Sequence, residues 1–302
     1  MVKRALLIGC NYVAFPQIQL YGCINDIVNM RNVLIDAYGY QNSNIYMLRD
    51  DDASKLPNKM NIMNIMSQLI RMSTNSDTLW IHYSGHGTQI RDTNGDESDS
   101  FDECIVPCDY NISGVITDDE LFSILKNAKC QIMICFDSCN SGTGCDLVYS
   151  TNFNNGVLTK SINNISRLIA NPNITMLSGC RDPQTSADVY DNNSKKNVGA
   201  FTQTLLETLR AYNHNVDILQ LYSSLCDKLK LYGFTQIPVL SSSSPNPNFQ
   251  FIRINQNDKS SNTNSVTTTA TKTKDFNIFQ KTIYANKSSG SLSKLMGNLI
   301  HK

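Results

Sequence analysis

Two short apolar runs constrain this chain more than any other feature, because each ends abruptly in a polar, glycine-bearing turn. Thr78-Leu79-Trp80-Ile81-His82-Tyr83 runs into Ser84-Gly85-His86-Gly87, and Cys130-Gln131-Ile132-Met133-Ile134-Cys135-Phe136 runs into Asp137-Ser138-Cys139-Asn140-Ser141-Gly142. Runs of this length, rich in β-branched and aromatic residues, read as buried strands. Lys3–Gly9, Ile45–Leu48 and Ile174–Ser178 have the same character, and Phe249–Ile254 is expected as a final strand. Helical patterns lie between them, near Asp26–Tyr38, Asn58–Ser73, Asp118–Asn127, Gly199–Ala211 and Val216–Leu231. Strands that alternate with helices predict an α/β fold with a mainly parallel central sheet and helices on both faces. The segment 144–172 has no clear period and is expected to be a loop joining two halves, 1–143 and 173–254.

Composition separates this 1–254 domain from the C-terminal segment. Residues 255–302 are rich in Ser, Thr, Asn and Lys, and 266–273 reads VTTTATKT. Such a segment cannot bury enough apolar surface to offset chain entropy, so a disordered tail is expected. Lys+Arg and Asp+Glu both number 26, a net charge of zero, which argues against a nucleic-acid binder. The balance is uneven along the chain. The tail holds seven Lys and two Asp, and ten acidic residues with no Lys or Arg lie between Asp92 and Glu120. The ten cysteines include no C-x-x-C pair, and Lys3-Arg4 leads into too short an apolar run for an export signal. A reduced, cytoplasmic protein is the expectation, with no membrane partner, since no run approaches the roughly 18–20 apolar residues of a span.

In an open α/β sheet the reactive crevice lies beyond the carboxyl ends of the strands. If the two opening strands are parallel neighbours, His86 and Cys139 leave the sheet at one edge, 53 residues apart in sequence. An imidazole beside a thiol removes its proton and makes a nucleophile. Gly87 leaves room beside the His, and its N–H together with that of Cys139 is a candidate oxyanion hole. His82 lies inside the strand and reads as structural. The acidic stretch calls for a hard cation with oxygen ligands. Residues 92–103, DTNGDESDSFDE, have the look of an EF-hand loop, but their flanks read as strand and loop.

HYSGHGTQ (82–89), DECIVPCD (102–109), DSCNSG (137–142) and SGCRDPQTSAD (178–188), with GCIND (22–26) before them, together resemble a metacaspase. The resemblance runs in order over residues 3–254. It implies a caspase-like fold and a calcium-activated cysteine endopeptidase that cuts proteins or peptides after Arg or Lys. It makes Cys139 the nucleophile and His86 the general base. Asp26 and Asp137 would meet the basic side chain, with Cys23 and Ser84 lining the same pocket. Calcium would fall to Asp102, Asp118, Asp119 and Asp146. Two carboxylates suit a guanidinium or ammonium and repel an aspartate.

Asn140 departs from the family pattern, where His follows the cysteine. The absence of a Pro-rich or zinc-finger segment before the first strand, and the short linker, predict the compact form without a prodomain, and the resemblance implies a monomer. Self-cleavage is expected at Lys160 or Arg167 in the linker. Two other classes stay open: an inactive peptide-binding relative, and a calcium-binding signalling protein whose Cys/His pair is incidental.

Overall fold

The computed structural model describes residues 1–92, 101–138, 145–179, 188–191 and 196–255, the side chains of 188–191 excepted. Cys139, Asn140 and the segment 256–302 lie outside the described residues. Five parallel strands build the centre: β1 (Lys3–Gly9), β2 (Ile45–Arg49), β3 (Thr78–Ser84), β7 (Gln131–Asp137) and β10 (Ile174–Ser178). With β8 (Tyr149–Asn154), β9 (Val157–Ile162) and β14 (Val239–Ser242) they form an eight-stranded sheet of order β2-β1-β3-β7-β10-β14-β8-β9. The last three are antiparallel to their neighbours. The predicted parallel strands thus occur within a residue or two of their expected bounds.

Alternation along the strands sorts side chains onto two faces. Leu6, Ile8, Leu79, Ile81, Ile132 and Ile134 pack with α2 (Lys59–Met72) and α4 (Asp118–Leu125). Ala5, Leu7, Trp80, Met133 and Cys135 pack with α1 (Cys23–Asp36), α5 (Ala200–Ala211) and α6 (Ile218–Leu231). Both faces of the central strands are therefore dry, which explains their nearly unbroken apolar sequences. The eight described cysteines are free thiols, most of them buried.

The structure corrects the expected loop at 144–172. Tyr149–Asn154 and Val157–Ile162 pair as an antiparallel hairpin at the sheet edge. Asn155 and Gly156 turn it, with φ of 48° and 84°. Both central residues at positive φ make the primed turn that matches strand twist, and Asn-Gly is its usual sequence. Strand β9 is exposed on every residue, so no hydrophobic alternation announced it.

Phe249–Ile254 also differs from expectation. Only β15 (Gln250–Phe251) pairs, and it pairs with β13 (Val216–Asp217) in a separate two-stranded sheet. Arg253 N–H then bonds Asn215 and Ile254 N–H bonds the Ala37 carbonyl, which draws the chain across the end of α1. A smaller sheet holds β4 (Gly87–Arg91), β5 (Phe101–Ile105) and β6 (Ile116–Thr117). It leads through the short helix α3 (Tyr110–Ser113), between β5 and β6, and on to α4. A Thr117/Glu120 capping box starts α4, a feature that stabilises a helix end by about 1 kcal/mol. A last pair, β11 (Asp188–Asp191) and β12 (Lys196–Gly199), stands before α5.

Candidate active site

The register of the central strands assembles the site. Gly9 stands opposite Ser84 on one side of β3, and Ser84 opposite Asp137 on the other. Ser84 and Asp137 each precede a candidate, His86 and Cys139, by two residues. The parallel, adjacent arrangement that the two motifs required is therefore met by their strands. Cys139 itself lies outside the described residues.

His86 is held from several sides. Its N–H donates to the Tyr12 hydroxyl at 2.8 Å, and its carbonyl accepts from the Tyr83 hydroxyl at 2.6 Å. The Tyr12 and His86 rings lie 4.7 Å apart. Gly85 permits this packing, because a Cβ there would sit 2.5 Å from the Tyr83 hydroxyl oxygen. His86 Nε2 lies 2.7 Å from the Ile18 carbonyl. A carbonyl only accepts, so Nε2 carries the proton and the neutral ring keeps its lone pair on Nδ1. Burial lowers the His86 pKa, while the Ile18 bond acts the other way. The balance favours a neutral ring, the form able to take a proton. The motifs name no orienting partner for His86, and a backbone carbonyl has no side-chain signature by which to find it.

Gly87 follows in β4, opposite Ile105. The adjacent bond runs from Val106 N–H to the His86 carbonyl, so Gly87 and Ile105 form the non-hydrogen-bonded type of pair. The Gly87 N–H consequently faces away from β5. His82, in contrast, is wholly buried inside β3 with Nε2 3.3 Å from Thr202 Oγ1. Desolvation pushes its pKa down to about 3, so it is a neutral core residue.

Asp26, Ser84 and Asp137 come together next to this edge. Ser84 Oγ donates to Asp26 Oδ2 at 2.7 Å, Gly199 N–H to Asp26 Oδ1 at 2.8 Å, and Thr202 N–H to Asp137 Oδ2 at 2.9 Å. Both carboxylates are buried. The amides come from the cap residue and the first turn of α5, whose dipole favours negative charge. Gly199 is essential here: a Cβ would lie 2.2 Å from Asp137 Oδ2 and 2.7 Å from Asp26 Oδ2. Cys23 opens α1 one turn before Asp26 and is buried. Asp26 is therefore not the cap of α1 but a residue inside its first turn. Gly199 and Thr202 carry no signal in the sequence, since neither has a partner within its own segment. A cavity of about 540 Å³ lined by Lys59, Ile90, Tyr110 and Glu120 shares no residue with this group.

The four candidate calcium ligands lie around α4. Asp118 Oδ2 accepts from Glu103 N–H at 2.8 Å, which ties the first residue of α4 to β5 beside Asp102. Asp119 and Asp146 both face the Arg167 guanidinium. Burial raises the Cys145 thiol pKa, followed by the charges of Asp146, Asp118 and Glu103. Carboxylate oxygens are the donors a hard divalent cation takes, and Arg167 is a stand-in positive charge among them. As they stand, no three His, Cys, Asp or Glu side chains among the described residues form a set that could hold a metal ion. Of the candidate cleavage residues, Lys160 bonds the Pro245 carbonyl and Asn246 Oδ1, while Arg167 is the one in the acidic group.

An ordered histidine and paired carboxylates thus lie at the carboxyl edge of a mainly parallel α/β sheet, where such folds place their reactive crevice. The family model of the metacaspase, peptidase C14 domain, matches residues 3–148. Metacaspase-1B of Neosartorya fischeri is 34% identical over 289 residues, covering 80% of this chain and 69% of that one. Metacaspase-1 of Scheffersomyces stipitis is 32% identical over 292 residues, covering 80% and 70%. The crystal structure of protein GSU0716 from Geobacter sulfurreducens shares the fold, with a TM-score of 0.57 at 19% identity, covering 81% and 94%. The chain belongs to the metacaspase family, whose members are cysteine-type peptidases, and its α/β class is the one the motifs implied. Among the described residues no helix is long and apolar enough to cross a membrane.

Proposed function

We propose that this metacaspase is a calcium-stimulated endopeptidase that cuts after Arg or Lys, with Cys139 as nucleophile and His86 as general base. The observation that supports it best is the Asp26–Ser84–Asp137 group closed by the side-chain-free Gly199. Two carboxylates on one wall attract a guanidinium or ammonium and repel an acidic side chain. His86 Nδ1 takes the Cys139 thiol proton as sulfur attacks the carbonyl carbon after the basic residue. The N–H groups of Gly87 and Cys139 hold the oxyanion. His86 then gives the proton to the leaving amine as the C–N bond breaks. Water, with its proton taken by His86, hydrolyses the thioester and restores the thiol. Calcium would be held by Asp102, Asp118, Asp119 and Asp146, and would supply the positive charge that relieves their repulsion. Self-processing at Lys160 or Arg167 belongs to the same proposal.

Fluorogenic peptides ending in Arg, Lys or Asp, each with and without calcium chloride, test the reading. Arg and Lys peptides are expected to be cut, faster with calcium, and Cys139→Ala is expected to abolish turnover. Turnover retained by Cys139→Ala, or preference for the Asp peptide, would refute it. Arg-peptide binding without turnover would instead favour the inactive peptide-binding relative.

A further inference from the structure

The acidic group already has a cation from its own chain. Arg167 closes the short turn Ile165–Arg167, whose entry is set by Asn164 Oδ1 accepting from Ser166 N–H at 3.0 Å. Its guanidinium bonds Asp119, lies 3.4 Å from Asp146 Oδ2, and sits 4.8 Å from the centroid of the Phe122 ring. The Arg167 side chain is 13% exposed and that of Asp146 5%. The Asp119 side chain is more open, at 31%, and two carboxylates beside an aromatic face are what a planar delocalised cation prefers over a compact one. Asp146 reaches this position with φ of 50°, a conformation aspartate tolerates better than most residues. Three separate elements contribute: α4 through Asp119 and Phe122, the segment before β8 through Asp146, and the turn after β9 through Arg167.

We infer that Asp119, Asp146 and the Phe122 ring form a guanidinium-binding site filled in cis by Arg167, and that a divalent cation gains Asp119 and Asp146 only by displacing it. The inference rests on the calcium reading of the same acidic group and adds what holds the group before the ion arrives. A guanidinium and a divalent ion repel one another and compete for the same oxygens, so the two states exclude each other. Exchange of one cation for another also spares the buried carboxylate an unpaired stage, which would be costly. Displacement frees the turn 165–167 from α4. The bond after Arg167, whose side chain is otherwise engaged, then becomes available to a protease that reads arginine. Cation binding and exposure of a cleavage site are thereby one event.

The test uses the full chain carrying Cys139→Ala, so that self-cleavage cannot intervene. Calcium chloride is titrated calorimetrically into this protein and into the same protein with Arg167→Gln, which keeps a polar side chain but removes the charge. Calcium is expected to bind Arg167→Gln at least about tenfold more tightly, the effect of deleting one competing ion pair. In parallel, trypsin cleavage after Arg167, read by mass spectrometry in the protein with native Arg167, is expected to accelerate about tenfold or more with calcium. Uptake by Arg167→Gln alone would support the inference in its strongest form. Equal affinities with calcium-insensitive trypsin cleavage would overturn the displacement and leave the calcium reading standing. No uptake by either protein would remove the calcium reading and the displacement with it. If Arg167→Gln fails to fold, the trypsin measurement decides, because it needs no substitution at Arg167.

Discussion

The molecule holds two pairs of aspartates in different ways. Asp26 and Asp137 receive hydrogen bonds from a serine hydroxyl and from the amides of Gly199 and Thr202. These neutral donors fix a carboxylate in place without cancelling its charge. Asp119 and Asp146 instead share the guanidinium of Arg167, which fixes both and offsets one of their two negative charges. The first arrangement suits the proposed pocket, which would meet a basic side chain on every turnover. The second suits a switch, because its charge changes hands only when another cation competes. A count of acidic residues sees no difference between the two; the chemistry of the donors makes it.

Substitutions can break this contrast, beginning with the largest effect. Asp26→Asn and Asp137→Asn each remove a charged acceptor, worth roughly 1.5–3 kcal/mol. Each is therefore expected to lower kcat/KM for an Arg peptide by about 10- to 150-fold even at saturating calcium. Asp119→Asn is expected to shift the calcium concentration for half-stimulation and to spare the saturated rate. Equal losses in both pairs at saturating calcium would erase the distinction. Gly199→Ala comes next. Its Cβ would collide with both pocket carboxylates, so the pocket must distort at a cost of about 1–3 kcal/mol. Raised KM for Arg and Lys peptides, with the calcium dependence unchanged, is the expected signature in steady-state kinetics.

Acid separates the two histidines near the pocket more gently. His82 has its pKa lowered from 6.5 to about 3 by burial. Between those values the unfolded chain binds a proton that the folded one refuses. Stability therefore falls as pH drops from about 6.5 towards 3, by at most about 1.4 kcal/mol per unit. Urea melts of His82→Gln across that range are expected to be flatter than those of the parent. For His86 the lowered pKa keeps the ring neutral, in its proton-accepting form, below the usual histidine range, so the acid limb of kcat/KM is expected to fall below pH 6.5. Smallest is Gly156→Ala in the hairpin. No atom lies within 4 Å of the new Cβ, so only the positive φ opposes it, at roughly 1 kcal/mol. A shift in the thermal midpoint with unaltered peptide selectivity would show the hairpin to be remote from the pocket.

Much of this architecture is readable in the chain. The five parallel strands are apolar because both of their faces are covered, and the helix patterns follow from one covered face each. The hairpin at 149–162 escaped because β9 is solvent-exposed along its length, although Asn155-Gly156 marked the turn. Strand β14 escaped for the opposite reason: Ser241 and Ser242 are buried in the sheet, where neighbouring strands and hydroxyl bonds override their usual preference for loops.

The same division runs through the site. Sequence alone determined which residues could do chemistry, because a thiol, an imidazole and carboxylates are properties of side chains. It also placed His86 and Cys139 just beyond two strand ends, since strand ends are local. Tertiary structure decided what each group is bonded to. The Ile18 carbonyl behind His86, the Gly199 amide on Asp26 and the Arg167 guanidinium on Asp119 come from segments far apart in the chain. Partners of that kind leave no local pattern, because the hydrogen bonds and charges that make them exist only once the sheet and its helices have packed.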